Sequence, residues 1–178
     1  MRRSGVVLAA AATATAAAAA AYAVWSGVGA QEAQVARGKY LVQLAGCTDC
    51  HTPGYRLGKP DMARFLGGSD VGFEMAGVGI FVPPNLTPDN STGLGRWTSD
   101  EIVTAIQTGV RPDGRILAPM MPWRAYAGLT KSDAAAMVEY LRSLPPVINK
   151  VPGPLGLNEK ASVSRMRMVP PDQGPQQN

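Results

Sequence analysis

Histidine, cysteine and charged residues are all scarce in this chain of 178 residues, and each shortage excludes a class of structure or function. Two cysteines are too few for the disulfide framework of a small secreted scaffold. With one histidine, no site can depend on two imidazole groups. Charged residues make up 17% of the sequence, and no basic block with interleaved aromatic residues occurs. The sequence therefore does not predict a nucleic-acid-binding protein.

The scarce residues fall together in the run Cys47-Thr48-Asp49-Cys50-His51. A C-x-x-C-H run is the attachment motif of c-type haem, in which two cysteines form thioether bonds to the porphyrin and the histidine binds the iron. Zinc is an alternative, but a closed zinc site needs four ligands and the rest of the chain offers only carboxylates. A thioredoxin-like redox pair would need a surrounding βαβ pattern, which the sequence lacks. We predict one covalently attached haem c, held by Cys47 and Cys50, with His51 as an iron ligand.

The N-terminal segment differs from the rest of the chain, because no charged residue occurs between Gly5 and Gly29 and two arginines precede this stretch. Positive charges, an apolar run and small residues near position 30 are typical of a cleavable signal peptide. The run is also long enough to span a bilayer as an anchor. Both alternatives remain open for residues 1–30, and both predict a periplasmic protein, either soluble or anchored to the inner membrane.

Three helices are predicted from apolar residues at helical spacing. The first covers about 33–44, and Gly38 inside it indicates that another helix crosses closely there. The other two start at Thr98 and Thr130, each followed by an acidic residue three positions later. The first of these should stop at Gly109, and the second before a pair of prolines. Since no strand-like alternation of any length competes, the sequence predicts an all-α fold.

Two long segments lack helical periodicity. Residues 53–97 contain nine glycines and five prolines, and a loop of that length needs a large apolar group, such as a haem, to pack against. Only a short hairpin near 72–83 is expected there. The haem domain should cover 31–150, followed by an extended, poorly packed, proline-rich tail over 151–178. A disordered end and an arm that lies across a partner both remain open for this tail.

Because the chain has no second histidine, the opposite iron position must be taken by another residue, by water or by nothing, and methionine sulfur is the leading candidate. Met120 and Met121 lie in a proline-flanked segment just before the last predicted helix. The remaining internal methionines lie at a helix core position, in the glycine-rich loop or in the tail. The residues alone therefore leave Met120 and Met121 both open as ligands.

Further motifs follow the haem attachment run. They are Asn85-Leu86-Thr87-Pro88-Asp89, Gly93-Leu94-Gly95-Arg96-Trp97, Gly109-Val110-Arg111-Pro112-Asp113-Gly114-Arg115, Met121-Pro122, Tyr126 and Tyr140-Leu141-Arg142-Ser143-Leu144-Pro145-Pro146. Together they make residues 33–155 resemble the class I cytochrome c domains found as electron-accepting subunits of membrane-bound bacterial alcohol, aldehyde and nicotinate-type dehydrogenases.

The resemblance implies a class I cytochrome c fold, with three to five helices around one haem. It implies that Met121, directly before a proline, is the axial ligand, and that Asn85 and Trp97 lie near the haem edge and its propionates. Such subunits often contain three domains in a row, whereas this chain has one attachment motif.

These features predict an electron-transfer protein and not an enzyme, since a haem bound by histidine and methionine has no open iron position for a substrate. Expected partners are redox proteins, namely a dehydrogenase subunit, an oxidase or another cytochrome. The alternative is a five-coordinate haem enzyme or sensor that binds peroxide or a gas. The predicted apolar wall of the haem pocket consists of Ile80, Phe81, Leu94 and Trp97.

Overall fold

The computed structural model describes residues 27–168, and these residues form five α-helices and one small β-sheet. Helix α1 covers 27–44, and it is followed by α2 (Cys47–His51), α3 (Ser99–Thr108), α4 (Trp123–Tyr126) and α5 (Lys131–Ser143). The strands are β1 (Val71–Met75), β2 (Gly79–Phe81) and β3 (Ser164–Arg167). Most of the predicted signal peptide or anchor, 1–30, lies outside the described residues. Among the residues described, no helix is long and apolar enough to cross a membrane.

Helices α1 and α5 cross closely at Gly38, as predicted. A Cβ atom on Gly38 would overlap the backbone oxygen of Ala136 and lie 2.8 Å from Cβ of Tyr140, so only glycine fits. Helix α1 is longer than predicted, since it includes residues 27–32. Residues 27–34 are all exposed, so this part of the helix has no apolar stripe that a periodicity argument could detect.

Helices α3 and α5 begin and end where the sequence predicted. The Thr98 hydroxyl accepts a hydrogen bond from the Glu101 backbone N–H (3.2 Å), and the Glu101 carboxylate accepts one from the Thr98 backbone N–H (2.7 Å). This reciprocal pair satisfies two otherwise unpaired amides. Gly109 ends α3 in the left-handed conformation, with φ 76°. The hydroxyl of Thr130 caps α5 in the same way, accepting from the Asp133 backbone N–H at 3.1 Å.

The hydrophobic core lies between α1, α3 and α5. Its buried members are Leu41, Val42, Leu66, Ile102, Ile106, Met137, Val138, Tyr140 and Leu141. Residues near α2 and from the loop before α3 pack against this core, among them Cys47, Leu94 and Trp97. Cys47 of the attachment motif is therefore positioned by the same packing that holds the helices together.

The predicted all-α class is incomplete, because the sheet has three strands in the order β2-β1-β3. Strands β1 and β2 form the expected hairpin, with Phe73 opposite Phe81. Strand β3, which was not predicted, pairs in parallel with β1 and places Val71 beside Ser164. All four residues of β3 are exposed, so the strand has no alternation of buried and exposed positions to reveal it.

The segment after α5 is extended, as predicted, but its described part is attached to the domain. Leu155 and Ile80 exchange two backbone hydrogen bonds of 2.9 Å. Strand β3 then adds its ladder to β1. None of the residues 151–168 is buried, but the sheet edge and the loop supply backbone partners that the sequence could not reveal. Residues 169–178 lie outside the described part of the chain.

Candidate functional site

Helix α2 presents the attachment motif to a cavity. Helix α1 ends in a tight turn at Ala45 and Gly46, and Gly46 adopts the left-handed conformation (φ 69°) directly before α2. Residues three apart on a helix lie on one face, so Cys47 and Cys50 border the same cavity. Both thiols are free. Burial raises the pKa of the Cys47 thiol to about 11, which is opposite to the lowered pKa of a catalytic redox cysteine.

His51 ends α2 and is buried. Its Nδ1 lies 2.7 Å from the carbonyl oxygen of Pro84. Because a carbonyl oxygen can only accept, Nδ1 carries the proton, and Nε2 keeps the lone pair that a metal ligand needs. Burial lowers the pKa of His51 to about 4, although the Pro84 carbonyl opposes this shift. The imidazole is therefore neutral and of defined tautomer at neutral pH, as iron ligation requires.

Asn85, the residue after Pro84, is a buried hydrogen-bond hub. Its Oδ1 accepts from the backbone N–H and the hydroxyl of Thr87, at 2.9 and 2.7 Å. Its Nδ2 donates to the Thr92 hydroxyl at 3.0 Å and to the Val147 carbonyl at 2.6 Å. An amide side chain has two donor and two acceptor positions, and all four are occupied. Asn85 borders the cavity, but its polar atoms hold the protein loop together.

All six residues that were predicted to bind the haem or to lie at its edge border one cavity, whose volume is about 590 Å³. The set comprises Cys47, Cys50, His51, Asn85, Trp97 and Met121. A volume of this size lies within the roughly 300–1,000 Å³ typical of cofactor pockets. Of the predicted apolar wall, Phe81, Leu94 and Trp97 border the cavity, whereas Ile80 is buried in the sheet beside Leu155.

Both candidate methionine ligands reach the cavity from the segment between α3 and α4. The backbone N–H of Met121 donates to the Ala118 carbonyl (2.9 Å), and its carbonyl accepts from the Trp123 N–H (2.8 Å). Met121 is half-buried, whereas Met120 is exposed. The backbone of Met121 is thus fixed on both sides of the residue.

Two cavity residues that the sequence argument did not single out are Arg111 and Arg115. They face each other across a tight turn closed by a hydrogen bond from the Arg111 N–H to the Arg115 carbonyl (3.0 Å), with Gly114 at φ 78°. The Arg111 guanidinium lies 4.9 Å from the centroid of the Trp97 ring. Burial and the charge of Arg111 lower the pKa of Arg115. The sequence could have indicated this pair, because Pro-Asp-Gly is typical of a turn and a turn brings the residues on its two sides together.

A second set of missed residues comes from the segment after α5. Residues 150–154 form a continuous stretch of the cavity lining. Their sequence, Lys-Val-Pro-Gly-Pro, has no periodicity, so it gave no signal of a position beside the haem motif.

The donor groups around the cavity fit a haem c. Two thiols, a neutral imidazole and two thioether sulfurs border one space, and this is the donor set for covalent attachment and axial ligation. Four cations (Arg56, Arg111, Arg115 and Lys150) and one carboxylate (Asp49) also border it, an excess that suits the two propionates of a haem. Within residues 27–168, no group of three or more His, Cys, Asp or Glu could hold a metal ion, so the zinc alternative gains no support.

Comparison with known proteins agrees with this donor set. The sequence model of the family described as Cytochrome c matches residues 35–145. The chain is 31% identical over 147 residues to the cytochrome c subunit of a quinone-type alcohol dehydrogenase of Gluconobacter oxydans, covering 79% of this chain and 29% of that protein. It is 31% identical to the gluconate 2-dehydrogenase cytochrome c subunit of Pantoea cypripedii, covering 79% of this chain and 31% of that protein. The fructose dehydrogenase cytochrome subunit of Gluconobacter japonicus is 34% identical, over 63% of this chain and 21% of its own length.

Proposed function

This chain belongs to the cytochrome c family, and we propose that it transfers single electrons through one covalently bound haem c. Electron transfer by a haem c is the role of the family and of the relatives named above. The number of one haem rests on the single C-x-x-C-H run. The observation that carries the proposal is that Cys47, Cys50, His51 and Met121 line one cavity, with Nδ1 of His51 bonded to the Pro84 carbonyl.

The roles of the side chains follow from their chemistry. Cys47 and Cys50 would hold the haem through thioether bonds, and His51 would bind the iron through Nε2. Met121 would supply a thioether sulfur to the iron, a choice supported by its half-buried position and by the two backbone hydrogen bonds that fix it. Arg111 and Arg115 would pair with the propionates. The bound haem supplies a one-electron iron couple, and ligation by histidine and methionine raises its reduction potential.

Partners and location follow from the relatives and from the N-terminus. The named relatives are subunits of dehydrogenases. We therefore infer a redox partner such as a dehydrogenase subunit. Since this chain covers 29% and 31% of the lengths of the first two, the activity and substrates of those complexes do not transfer with the similarity. Residues 1–30 support a periplasmic location, reached with a cleaved signal or a retained anchor.

Spectroscopy of the purified full-length protein tests the proposed function. We expect one haem per chain that stays bound after denaturation, a low-spin spectrum and a ferric near-infrared band from sulfur-to-iron charge transfer. A high-spin resting spectrum with fast cyanide binding would instead support the five-coordinate enzyme or sensor. A protein without covalently bound haem would refute both. Cell fractionation combined with N-terminal sequencing tests the location and shows whether residues 1–30 are retained.

A further inference from the structure

The segment after α5 contacts the loop that orients His51. The backbone N–H of Val147 donates to the Thr87 hydroxyl (3.0 Å), and its carbonyl accepts from Nδ2 of Asn85 (2.6 Å). The backbone N–H of Asn149 donates to the Thr92 hydroxyl at 3.0 Å. Asn85 directly follows Pro84, whose carbonyl fixes the His51 tautomer. The segment is therefore bonded to the same short loop that positions the proximal imidazole.

The same segment also contacts the loop on the other side of His51. The side chain of Asn149 donates to the carbonyl of Gly67 at 2.8 Å. The next residue, Gly68, donates its backbone N–H to the His51 carbonyl at 2.8 Å. A Cβ on Gly68 would lie 2.6 Å from Cγ1 of Val151, so the Val151 side chain packs directly against the Gly68 backbone and would have to shift for a larger residue. Asn149 thus joins both loops that hold the histidine.

Residues 150–154 then pass along the cavity, and the chain is anchored again beyond them. The first anchor is the reciprocal pair between Leu155 and Ile80. The second is the parallel pairing of β3 with β1. Arg165 adds an ion pair, with its Nε 3.2 Å from Oε2 of Glu74, an oxygen that is otherwise buried without a hydrogen bond. The five cavity residues are therefore held between two attachments.

We infer that residues 147–167, here called the C-terminal strap, form a wall of the haem pocket that holds the His51 loops and sets the reduction potential. This inference rests on the proposed haem function. It replaces both sequence alternatives for the described part of the tail, namely a disordered end and an arm across a partner. A wall that excludes water disfavours the more highly charged ferric state, so a loosened strap lowers the potential.

The test compares two substitutions of the same type within the strap. Asn149→Ala removes the bond to Gly67, whereas Asn158→Ala changes an exposed residue whose side chain makes no hydrogen bond within residues 27–168. Both are made in the full-length, haem-loaded protein, and the potential is measured by redox titration. For Asn149→Ala we expect the reduction equilibrium constant to fall about tenfold, or about 59 mV for one electron. The potential of Asn158→Ala should equal that of the unmodified protein.

A second variant covers the case in which Asn149→Ala does not load haem. Arg165→Gln cuts the outer ion pair, and Arg165 is not part of the cavity lining, so we expect haem to be retained and the potential to fall in the same direction. Unchanged potentials in every haem-loaded variant would overturn the inference and leave the proposed function intact. The inference would also be overturned if truncation after Pro146 kept the potential but abolished co-purification with a redox partner, as expected for an arm. Failure of the unmodified protein to carry haem would refute the proposed function itself.

Discussion

Substitution of Asn85 by alanine should destabilise the protein more than its position in a loop suggests. The side chain is 1% exposed and makes four hydrogen bonds. Two backbone groups lose their main partner, namely the N–H of Thr87 and the carbonyl of Val147. The Thr87 hydroxyl loses its 2.7 Å acceptor but still accepts from the Val147 N–H at 3.0 Å. The Val147 carbonyl keeps only two contacts of 3.5 Å, from the hydroxyls of Thr87 and Thr92. The hydroxyl of Thr92 is less affected, since it still donates to Asp89 at 2.8 Å.

The magnitude follows from these two groups. A buried polar group left without a partner costs about 1–3 kcal/mol, so Asn85→Ala should lower the free energy of unfolding by roughly 3 kcal/mol. For a chain of this size, that corresponds to a fall in Tm of roughly 6–12 °C. Thermal and urea unfolding of the haem-loaded protein measures it. Asn90→Ala is the matched control, because Asn90 is exposed in the same loop and should change the stability by less than about 0.5 kcal/mol.

A second substitution, Asn85→Asp, tests the hydrogen bonds that the Asn85 side chain donates separately from those that it accepts. Aspartate keeps the acceptors for Thr87 but, when ionised, places a negative charge against the Val147 carbonyl. Burial and this carbonyl should raise the carboxyl pKa above its ordinary value. A raised pKa in the folded state means that stability is greatest below the unfolded value, about 3.9, and falls as pH rises through the folded value. The proposed role of Asn85 as a hydrogen-bond hub would be refuted if Asn85→Ala and Asn90→Ala had the same free energy of unfolding. It would also be refuted if the stability of Asn85→Asp did not increase at acid pH.

Three further substitutions or titrations follow from the structure. Met121→Ala should turn the low-spin spectrum high-spin and lower the potential, whereas Met120→Ala should change neither, and optical spectra with the opposite pattern would reassign the ligand. Gly38→Ala should cost about 1–3 kcal/mol in thermal unfolding because its Cβ overlaps the α5 backbone, whereas Gly128→Ala has open space and should be neutral. Because burial lowers the pKa of His51 to about 4 from 6.5, the haem-free chain should lose stability as pH falls from about 6.5 towards 4. Unfolding monitored by circular dichroism checks this, and a flat profile over that range would contradict it.

The parts of the fold that the sequence predicted depend on local chemistry. The threonine caps of α3 and α5, the glycine after α3 and the close crossing at Gly38 each involve one residue with a specific backbone or side-chain requirement. Strand β3 depends instead on a sheet edge about 90 positions earlier in the chain, and its own four residues are exposed. Propensity and periodicity report burial within one segment, so they cannot report a pairing of that kind.

The site divides in the same way. The attachment motif is chemically specific, and the proline next to Met121 marks a rigid loop, so both were visible in the sequence. The role of Asn85 was not, because the sequence gives its type but not its partners. The sequence analysis placed the Asn85 amide near the haem propionates, whereas the structure shows its Nδ2 atom bonded to the Val147 carbonyl and the Thr92 hydroxyl. Only these two distances separate the two roles. Composition could not reveal Arg111 and Arg115 as site residues, because it is the turn between them that brings both side chains to the cavity.

Outside the β1–β2 hairpin, the segment 53–97 has little regular secondary structure. Many of its backbone groups are hydrogen-bonded to side chains instead. The Asp89 carboxylate accepts from the N–H groups of Ser91 (3.0 Å) and Thr92 (2.6 Å), and the Thr92 bonds lower its pKa. The hydroxyl of Thr52 accepts from the Leu66 N–H at 3.1 Å.

These hydrogen bonds help to offset the conformational entropy that the loop loses when it becomes ordered. A haem gives the loop apolar surface to pack against, but it cannot satisfy amides that point away from the cavity. The Asn85 side chain accepts from the Thr87 N–H, and the Asp89 carboxylate accepts from the N–H groups of Ser91 and Thr92. The strap residue Val147 in turn pairs with the side chains of Asn85 and Thr87. The loop therefore has two faces, one that a haem would cover and one that the strap residues contact. A loop held in this way keeps the Pro84 carbonyl against Nδ1 of His51, so the imidazole would present Nε2 to a bound haem iron in one fixed tautomer and orientation.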